Sequence, residues 1–428
     1  MGFRAAAPYD ADVTSPAAPS DQPAGQLDPP ERWSALRRLA LAMMLAMTTW
    51  FSASAVLPQL REDWSLSSSQ GALLTIAVQL GFVVGALGSA TLNLADLVPA
   101  RRLILFGATG AAVVNAGLLF AHGPGLALPL RFLTGVFLAG VYPPALKSMA
   151  TWFRKGRGTA LGVMVGALTL GSAMPHLVNG LGGVQWQLVI AITSVLTLAG
   201  GLVAELVAKD GPFPFPAATF HPSQARKAFA DRGIRLANIG YFGHMWELYA
   251  MWAWFAVFFA DRLALAGDGD PRRGAAFATA LVIGVGALGC WVGGILGDRW
   301  GRTRSTILAM SISGTCAVLI GLLRDAPVPV VLAIGVVWGF WVVADSAQFS
   351  AIVTEIADQR YVGTTVTLQL AAGFVLTVVT IWLIPLLRDA YTWQWAFAVL
   401  ALGPVLGVIA MVRLMRSPAA ARIAGGLG

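Results

Sequence analysis

Gly294-Ile295-Leu296-Gly297-Asp298-Arg299-Trp300-Gly301-Arg302-Thr303-Arg304 places Asp298, Arg299, Arg302 and Arg304 between two apolar runs, 274–297 and 304–323. A helix crossing the hydrocarbon core needs about 20 mostly apolar residues, because only its own backbone can satisfy its amides there. Both runs reach that length. The alternation extends outward from Leu36 to Arg413, with runs at 36–58, 69–93, 102–121, 125–150, 158–181, 184–207, 236–260, 274–297, 304–323, 328–350, 363–386 and 391–413. The chain is therefore read as an all-α membrane protein of twelve spans, numbered here in chain order.

Composition agrees. Hydrophobic residues make up 57% of the chain and charged residues 12%, against roughly a quarter charged in soluble domains. The net charge of +8 raises the question of nucleic acid, but its distribution answers it. With the N-terminus inside, 21 of the 29 Lys and Arg fall in cytoplasmic breaks and tails and six in external breaks, while Arg131 and Lys147 lie within spans. That asymmetry is the positive-inside rule. It predicts a multi-pass protein of the inner membrane with both termini cytoplasmic, and no nucleic-acid groove.

Residues 1–35, rich in Ala, Pro and Asp, are expected to form a disordered cytoplasmic tail without a cleavable signal. The longest break, 208–235, carries Pro212, Pro214, Pro216 and Pro222. It separates a six-span bundle at 36–207 from a second at 236–413, followed by a tail at 414–428. The halves echo each other: Asp96 follows span 2 as Asp298 follows span 8, and Trp50-Phe51 answers Trp254-Phe255. Two repeated bundles imply a site at their interface, reached from either side by rocking. Cys290 and Cys316 fall inside spans with no metal spacing and read as packing residues.

These residues resemble the major facilitator superfamily across 36–413. Gly294, Leu296, Asp298, Arg299, Gly301 and Arg302 match its loop signature Gly-x-Leu-x-Asp-Arg-x-Gly-Arg. The break after span 2 keeps only Asp96 and Arg101-Arg102, with Leu92, Leu97, Pro99 and Ala100 replacing the usual residues. The resemblance implies that Asp96 and Asp298 hold a cytoplasmic gate closed through Arg and helix-end contacts, which a carboxylate at a helix N-terminus favours. Arg131 and Gly135 are similar to the family's Arg-x-x-x-Gly motif in span 4. Gly166, Gly171 and Pro175 echo an antiporter motif, but without its Gly-Pro pair they do not decide export over import.

A charge at mid-bilayer costs about 2.5–3.5 kcal/mol, so each is a functional candidate. On span 7, His244, Glu247 and Met251 share a helical face with Tyr241 and Trp254. Glu247 lies roughly 16 Å in from residue 236, near the midplane. This pair either binds protons and solute, or locks span 7 to a neighbour. On span 10, Trp338, Trp341, Asp345 and Gln348 are predicted to share one face, with Asp345 facing the cavity or pairing with Lys147. Arg131 either snorkels outward or meets a carboxylate. His176 and Asn179 follow the Pro175 kink. Gln79 and Asn115 read as links between helices, Trp33 and Trp393 as interfacial belts, and Trp50, Phe51, Trp252 and Trp254 as cavity walls.

The expected function is secondary transport of a small organic solute, driven by protons, by a monomer that carries no cofactor and is not an enzyme. No phosphate-binding loop that would use ATP is present, nor any nucleophile or metal cluster. An uncoupled facilitator is one alternative. Another is a soft-metal transporter using Met43, Met47, Met251 and His244.

Overall fold

The computed structural model describes residues 29–182, 185–213, 229–358 and 362–428. Of the tail expected at 1–35, residues 1–28 lie outside the described residues, as do the linker positions Pro214, Pro216 and Pro222; from Arg32 onward the expected tail is instead helix, the start of span 1. Eleven helices among the described residues are long and apolar enough to cross a membrane. They are spans 2 to 12: Ser68–Thr91, Ala100–Phe120, Pro124–Ala150, Arg157–Leu181, Trp186–Val207, Arg232–Leu265, Pro271–Trp300, Arg302–Leu322, Val328–Ile356, Val362–Tyr391 and Trp393–Met415.

Span 1 is the twelfth, and it is not the continuous run that the sequence predicts. It comes in three pieces, Arg32–Ala46, Ser52–Ala55 and Leu57–Asp63. Hydroxyl side chains at the break compete with the helix for its own carbonyls. Thr48 Oγ1 donates to Leu45 O at 3.0 Å and to Thr193 O at 2.9 Å, and Ser52 Oγ donates to Thr49 O at 3.0 Å.

Spans 4 and 10 break at corresponding places in the two halves. Span 4 leaves helix between Leu138 and Tyr142, where Pro143 has no N–H and its ring would clash with the carbonyl four residues back. Span 10 leaves it between Trp341 and Ser346. Irregular backbone at membrane depth survives only where protein or a water-filled cavity surrounds it. Spans 4 and 10 therefore turn their breaks inward, while side chains such as Leu206, 80% exposed, face lipid.

Glycines set the packing within each half. A Cβ on Gly81 would strike Phe132 O and one on Gly135 would strike Val78 O, so spans 2 and 4 touch backbone to backbone. Spans 8 and 10 repeat this contact through Gly289 on Phe340 O and Gly339 on Val282 O. Small residues at crossing points are the usual means of close approach in a bilayer. Between the halves, span 5 runs along span 8, with Gly162 against Cys290 O and Gly166 against Ala287. Span 2 meets span 11 through Phe82 and Phe374, whose ring centroids lie 4.6 Å apart.

Span 7 starts four residues earlier than predicted, because Asp231 caps it by accepting from Ile234 N at 3.0 Å. Residues after Met415 do not trail away. Two short turns, Pro418–Arg422 and Ala424–Gly426, fold back with Ile423 fully buried between them.

The Gly135 contact yields a test. Gly135→Val is expected to cost about 1–3 kcal/mol through overpacking, seen as a lower melting temperature of the purified protein. An unchanged melting temperature would show that spans 2 and 4 are further apart than described.

Candidate functional site

Span 7 does bury His244 and Glu247, but they do not meet. Glu247, 2% exposed, accepts from Trp338 Nε1 at 2.7 Å and Ser313 Oγ at 2.8 Å. Both partners belong to the second bundle, so Glu247 sits inside that half. His244 Nδ1 instead lies 2.9 Å from Asp345 Oδ1, with the two side chains 1% and 2% exposed. Asp345 belongs to the break in span 10, and the reading that pairs it with Lys147 is corrected. Lys147 Nζ donates to Ala95 O at 2.8 Å.

The span 10 break also scatters the face predicted for it. Trp338 reaches Glu247, Asp345 reaches His244, and Gln348 accepts from Arg302 Nη1 at 2.8 Å. Trp341 packs on Phe340. Trp254 is buried and donates to Ile381 O on span 11 at 2.9 Å. Neither Trp254 nor Trp341 lines the space between the halves. Trp393 is not an exposed belt residue: it is buried, and its indole donates to Asp261 Oδ2 at 2.9 Å.

That space is small, about 20 Å³, or room for about one water. Tyr142 and Leu168 line it from the first half, and Tyr241, Tyr249, Trp252 and Phe374 from the second. The His244–Asp345 pair lies behind this wall: Tyr241, whose ring is 6.2 Å from that of His244, and Ser346, next to Asp345, are the residues that line it.

Arg131 neither snorkels nor meets a carboxylate. It is 0% exposed and donates to Thr49 O, Trp50 O and Leu74 O, to Ser52 Oγ and to Asn115 Oδ1. Its role is to satisfy the carbonyls that the break in span 1 sets free. Asn115 is the link between helices the sequence predicts, donating to Ser194 Oγ at 2.9 Å. Gln79 is not, since neither amide atom has a partner. His176 is likewise buried with both ring nitrogens unpartnered, while Asn179 donates to Ala55 O at 2.8 Å.

At the end where span 1 begins and span 12 finishes, Asp298 joins the halves. Its carboxylate accepts from Gly158 N at 3.2 Å, Thr159 N at 2.8 Å and Thr159 Oγ1 at 2.9 Å. These are the free amides at the start of span 5, where a helix end favours an anion. Gly294 packs against Gly158 O, and a Cβ on Gly158 would collide with the Asp298 carboxylate. Arg302 lies 3.5 Å from Asp298 and holds Glu355 at 2.7 Å. Gly301, at φ 104°, makes the turn between spans 8 and 9. Arg299, expected at the gate, is exposed and forms no hydrogen bond or ion pair among the described residues. The Asp96 side chain lies outside the described residues.

The opposite end holds a contact the sequence did not reveal. Arg272, opening span 8, pairs with Glu62 at the close of span 1, its Nη1 lying 2.8 Å from Glu62 Oε2. Arg272 holds the Glu62 carboxyl below the usual carboxylate range through this hydrogen bond and its charge. Arg273 Nε donates across the same seam to Gly180 O at 3.1 Å. Beneath them lies a vestibule of about 360 Å³, bordered by Arg61, Glu62, Asp261, Arg272 and Arg388. A signal did exist: Glu62 and Arg272 are 210 residues apart, close to the repeat offset, so unlike charges occupy equivalent loops.

Among the described residues no group of three or more His, Cys, Asp and Glu could hold a metal ion. Of the soft-metal residues, Met47 packs on Gly171 of span 5 and His244 is engaged with Asp345.

Helices from the two halves close over a central space at both ends. The sequence profile of the Major Facilitator Superfamily matches residues 39–344, and the chain belongs to that family. A gallate transporter of Pseudomonas putida is 25% identical over 311 residues, 63% of this chain and 66% of that protein. The multidrug efflux pump LfrA of Mycolicibacterium smegmatis is 33% identical over 154 residues, 36% of this chain and 30% of that protein. The chain thus spans just under two thirds of the first relative's length and less of the second's. The solved structure of a bacterial homologue of the human lysosomal transporter Spinster, inward-facing and occupied, shares the fold. Its TM-score is 0.67 at 17% identity, over 93% of this chain and 99% of that one.

Each closure predicts an outcome. Asp298→Asn turns an acceptor toward a donor at the span 5 amides, removing charge-assisted bonds of about 1.5–3 kcal/mol each. Cysteine labelling of the inner space from the termini side is expected to rise; wild-type labelling would reduce Asp298 to a turn residue. At the other end, Glu62 is lowered, so its pair with Arg272 is complete at neutral pH and lost as pH falls through that lowered range. Labelling from that side is expected to increase in acid and in high salt, which screens exposed charges. Glu62→Gln should show the increased labelling already at neutral pH. A variant that labels as wild type does would remove the pair from the closure.

Proposed function

We propose that the protein is a proton-coupled secondary active transporter of a small organic solute, with the His244–Asp345 pair as its proton site. The observation that carries this reading is that pair: an imidazole and a carboxylate, buried together, between unbroken span 7 and the break of span 10. Two charges out of water repay their desolvation only when well paired. Adding or removing one proton therefore changes the attraction that fixes span 10 to span 7. Val343, Ser346 and Ser350 of span 10 line the central space, so a solute entering there meets the element whose position the proton sets.

Glu247 takes a different part in this reading. Enclosed by Trp338 and Ser313, it positions spans 9 and 10 against span 7 and does not exchange protons with the cavity. The basic asymmetry supports a protein in the inner membrane with both termini in the cytoplasm, acting as a monomer. Asp298 then closes the cytoplasmic end and Glu62–Arg272 the outer end. The relatives' names cover gallate, puromycin and tetracenomycin C, so likeness alone does not choose a solute or a direction.

Proteoliposomes decide the coupling. With Asp345→Asn, exchange between equal solute pools is expected to persist, while accumulation driven by a pH gradient disappears. Glu247→Gln is expected to lower the melting temperature and leave coupling in the fraction that folds. If Glu247→Gln alone loses accumulation while folding normally, the proton site is Glu247. Uptake indifferent to the gradient in the wild-type protein would make it an uncoupled facilitator.

A further inference from the structure

The aromatic side chains at the seam between the halves carry an inference that rests on the transporter reading and deepens it. Trp50, Phe82 and Tyr142 come from spans 1, 2 and 4, and Tyr249, Trp252 and Phe374 from spans 7 and 11. They form one continuous set of ring contacts. Trp50 lies 4.9 Å from Phe82 and 5.6 Å from Phe374, and Tyr249 lies 5.2 Å from Phe374 and 5.7 Å from Trp252. Phe82 reaches Tyr142 at 6.4 Å. Tyr142, Tyr249, Trp252 and Phe374 of this set line the central space, which has the volume of about one water.

An ordinary aromatic core would stop there, with every polar edge satisfied. This one does not. The indole N–H groups of Trp50 and Trp252 are buried with no acceptor, and Trp252 lines the cavity. A buried donor without a partner costs about 1–3 kcal/mol, and buried indoles usually find one. Two such donors, Trp252 in the cavity wall and Trp50 behind it against Tyr249 and Phe374, one from each half, are explained by an acceptor that arrives with the solute. The lining itself holds no Asp, Glu, Lys or Arg.

We infer that the site takes a planar aromatic solute bearing hydroxyl or carboxylate oxygens, held between ring faces and hydrogen-bonded by the indoles of Trp50 and Trp252. Ring-on-ring contacts of the closed state are exchanged for ring-on-solute contacts of the same kind, so the halves part without exposing aromatic faces to water. A saturated polyol offers no face to stack, and its many hydroxyls outnumber the donors and acceptors in this lining.

Thermal unfolding of the purified full chain tests this with gallate, with pyrogallol as its uncharged counterpart, and with quinate, which carries a carboxylate and hydroxyls on a saturated ring. Gallate or pyrogallol is expected to raise the melting temperature by several degrees, as ligands that bind only the folded state do, and quinate to leave it unchanged. Trp252→Phe keeps a ring and removes the N–H. It should melt as wild type without ligand and bind the stabilising compound about tenfold more weakly, the worth of one hydrogen bond. Stabilisation by quinate equal to that by gallate, or by none of the aromatic compounds, overturns the inference. So does Trp252→Phe binding at wild-type strength. Gradient-driven transport of a saturated solute would overturn the aromatic class and leave the transporter reading intact. Aromatic binding without transport of any kind would do the reverse.

Discussion

Arg131 is wholly buried, and what it holds is backbone. Span 1 abandons helical geometry from Met47 to Phe51, and the carbonyls released there have no water to turn to. The guanidinium takes Thr49 O and Trp50 O directly, and Ser52 and Asn115 complete its shell. Inserting a charge costs about 2.5–3.5 kcal/mol, and hydrogen bonds to a charged group are worth about 1.5–3 kcal/mol each. Five such bonds reverse the sign of the balance. With the break secured, Trp50 and Phe51 can turn their rings across the seam toward Tyr249 and Trp252, which a continuous helix would hold in a different direction.

The breaks in spans 4 and 10 obey the same constraint with different partners. Pro143 makes the first unavoidable. At the second, Val343 O accepts from Cys290 Sγ at 3.4 Å and Asp345 is met by His244. Cys290 therefore does more than fill space, since it reaches from span 8 into the break of span 10. The central space is lined at the breaks of spans 4 and 10 by Tyr142 and Val343, and the break of span 1 sits behind its wall, where Trp50 meets Tyr249 and Phe374.

What the sequence made legible follows from how local each signal is. Twelve apolar runs are read from composition alone, and the charged turn around Asp298 from eleven consecutive residues, but its partners Gly158 and Thr159 lie 140 and 139 residues away. The burial of His244 and Glu247 was legible from helical spacing, but their partners were not. Ser313 and Trp338 are 66 and 91 residues from Glu247, and no periodicity on span 7 points to them. The span 1 break was hidden for the same reason, because its stabilising side chain lies 82 residues away from Thr49. Span 10 misled in another way: a spacing of three, four and three defines a face only while the helix continues, and it stops after Trp341.

The inner latch reaches further than its motif. Asp298 holds span 5, Arg302 holds Asp298 and Glu355, and Glu355 Oε2 accepts from Ala424 N at 2.9 Å. Arg422 donates to Ile356 O at 3.1 Å, and Thr303 N, one residue beyond Arg302, donates to Gly428 O at 3.2 Å. The segment after span 12 is thereby fastened to Glu355, which Arg302 shares with Asp298, and to the turn that follows Asp298. If the proposed gate lies here, opening it separates span 8 from span 5, and span 8 carries the turn with it. The tail contacts add to the closed state only so far as they are lost in the open one, because an interaction present in both states shifts nothing. Glu355 is on span 10 and Arg302 on span 9, so they and the tail belong to one half and move together. The bonds that must break are those from Asp298 to Gly158 and Thr159, and the tail's part is to hold the carboxylate and its arginine in place to make them.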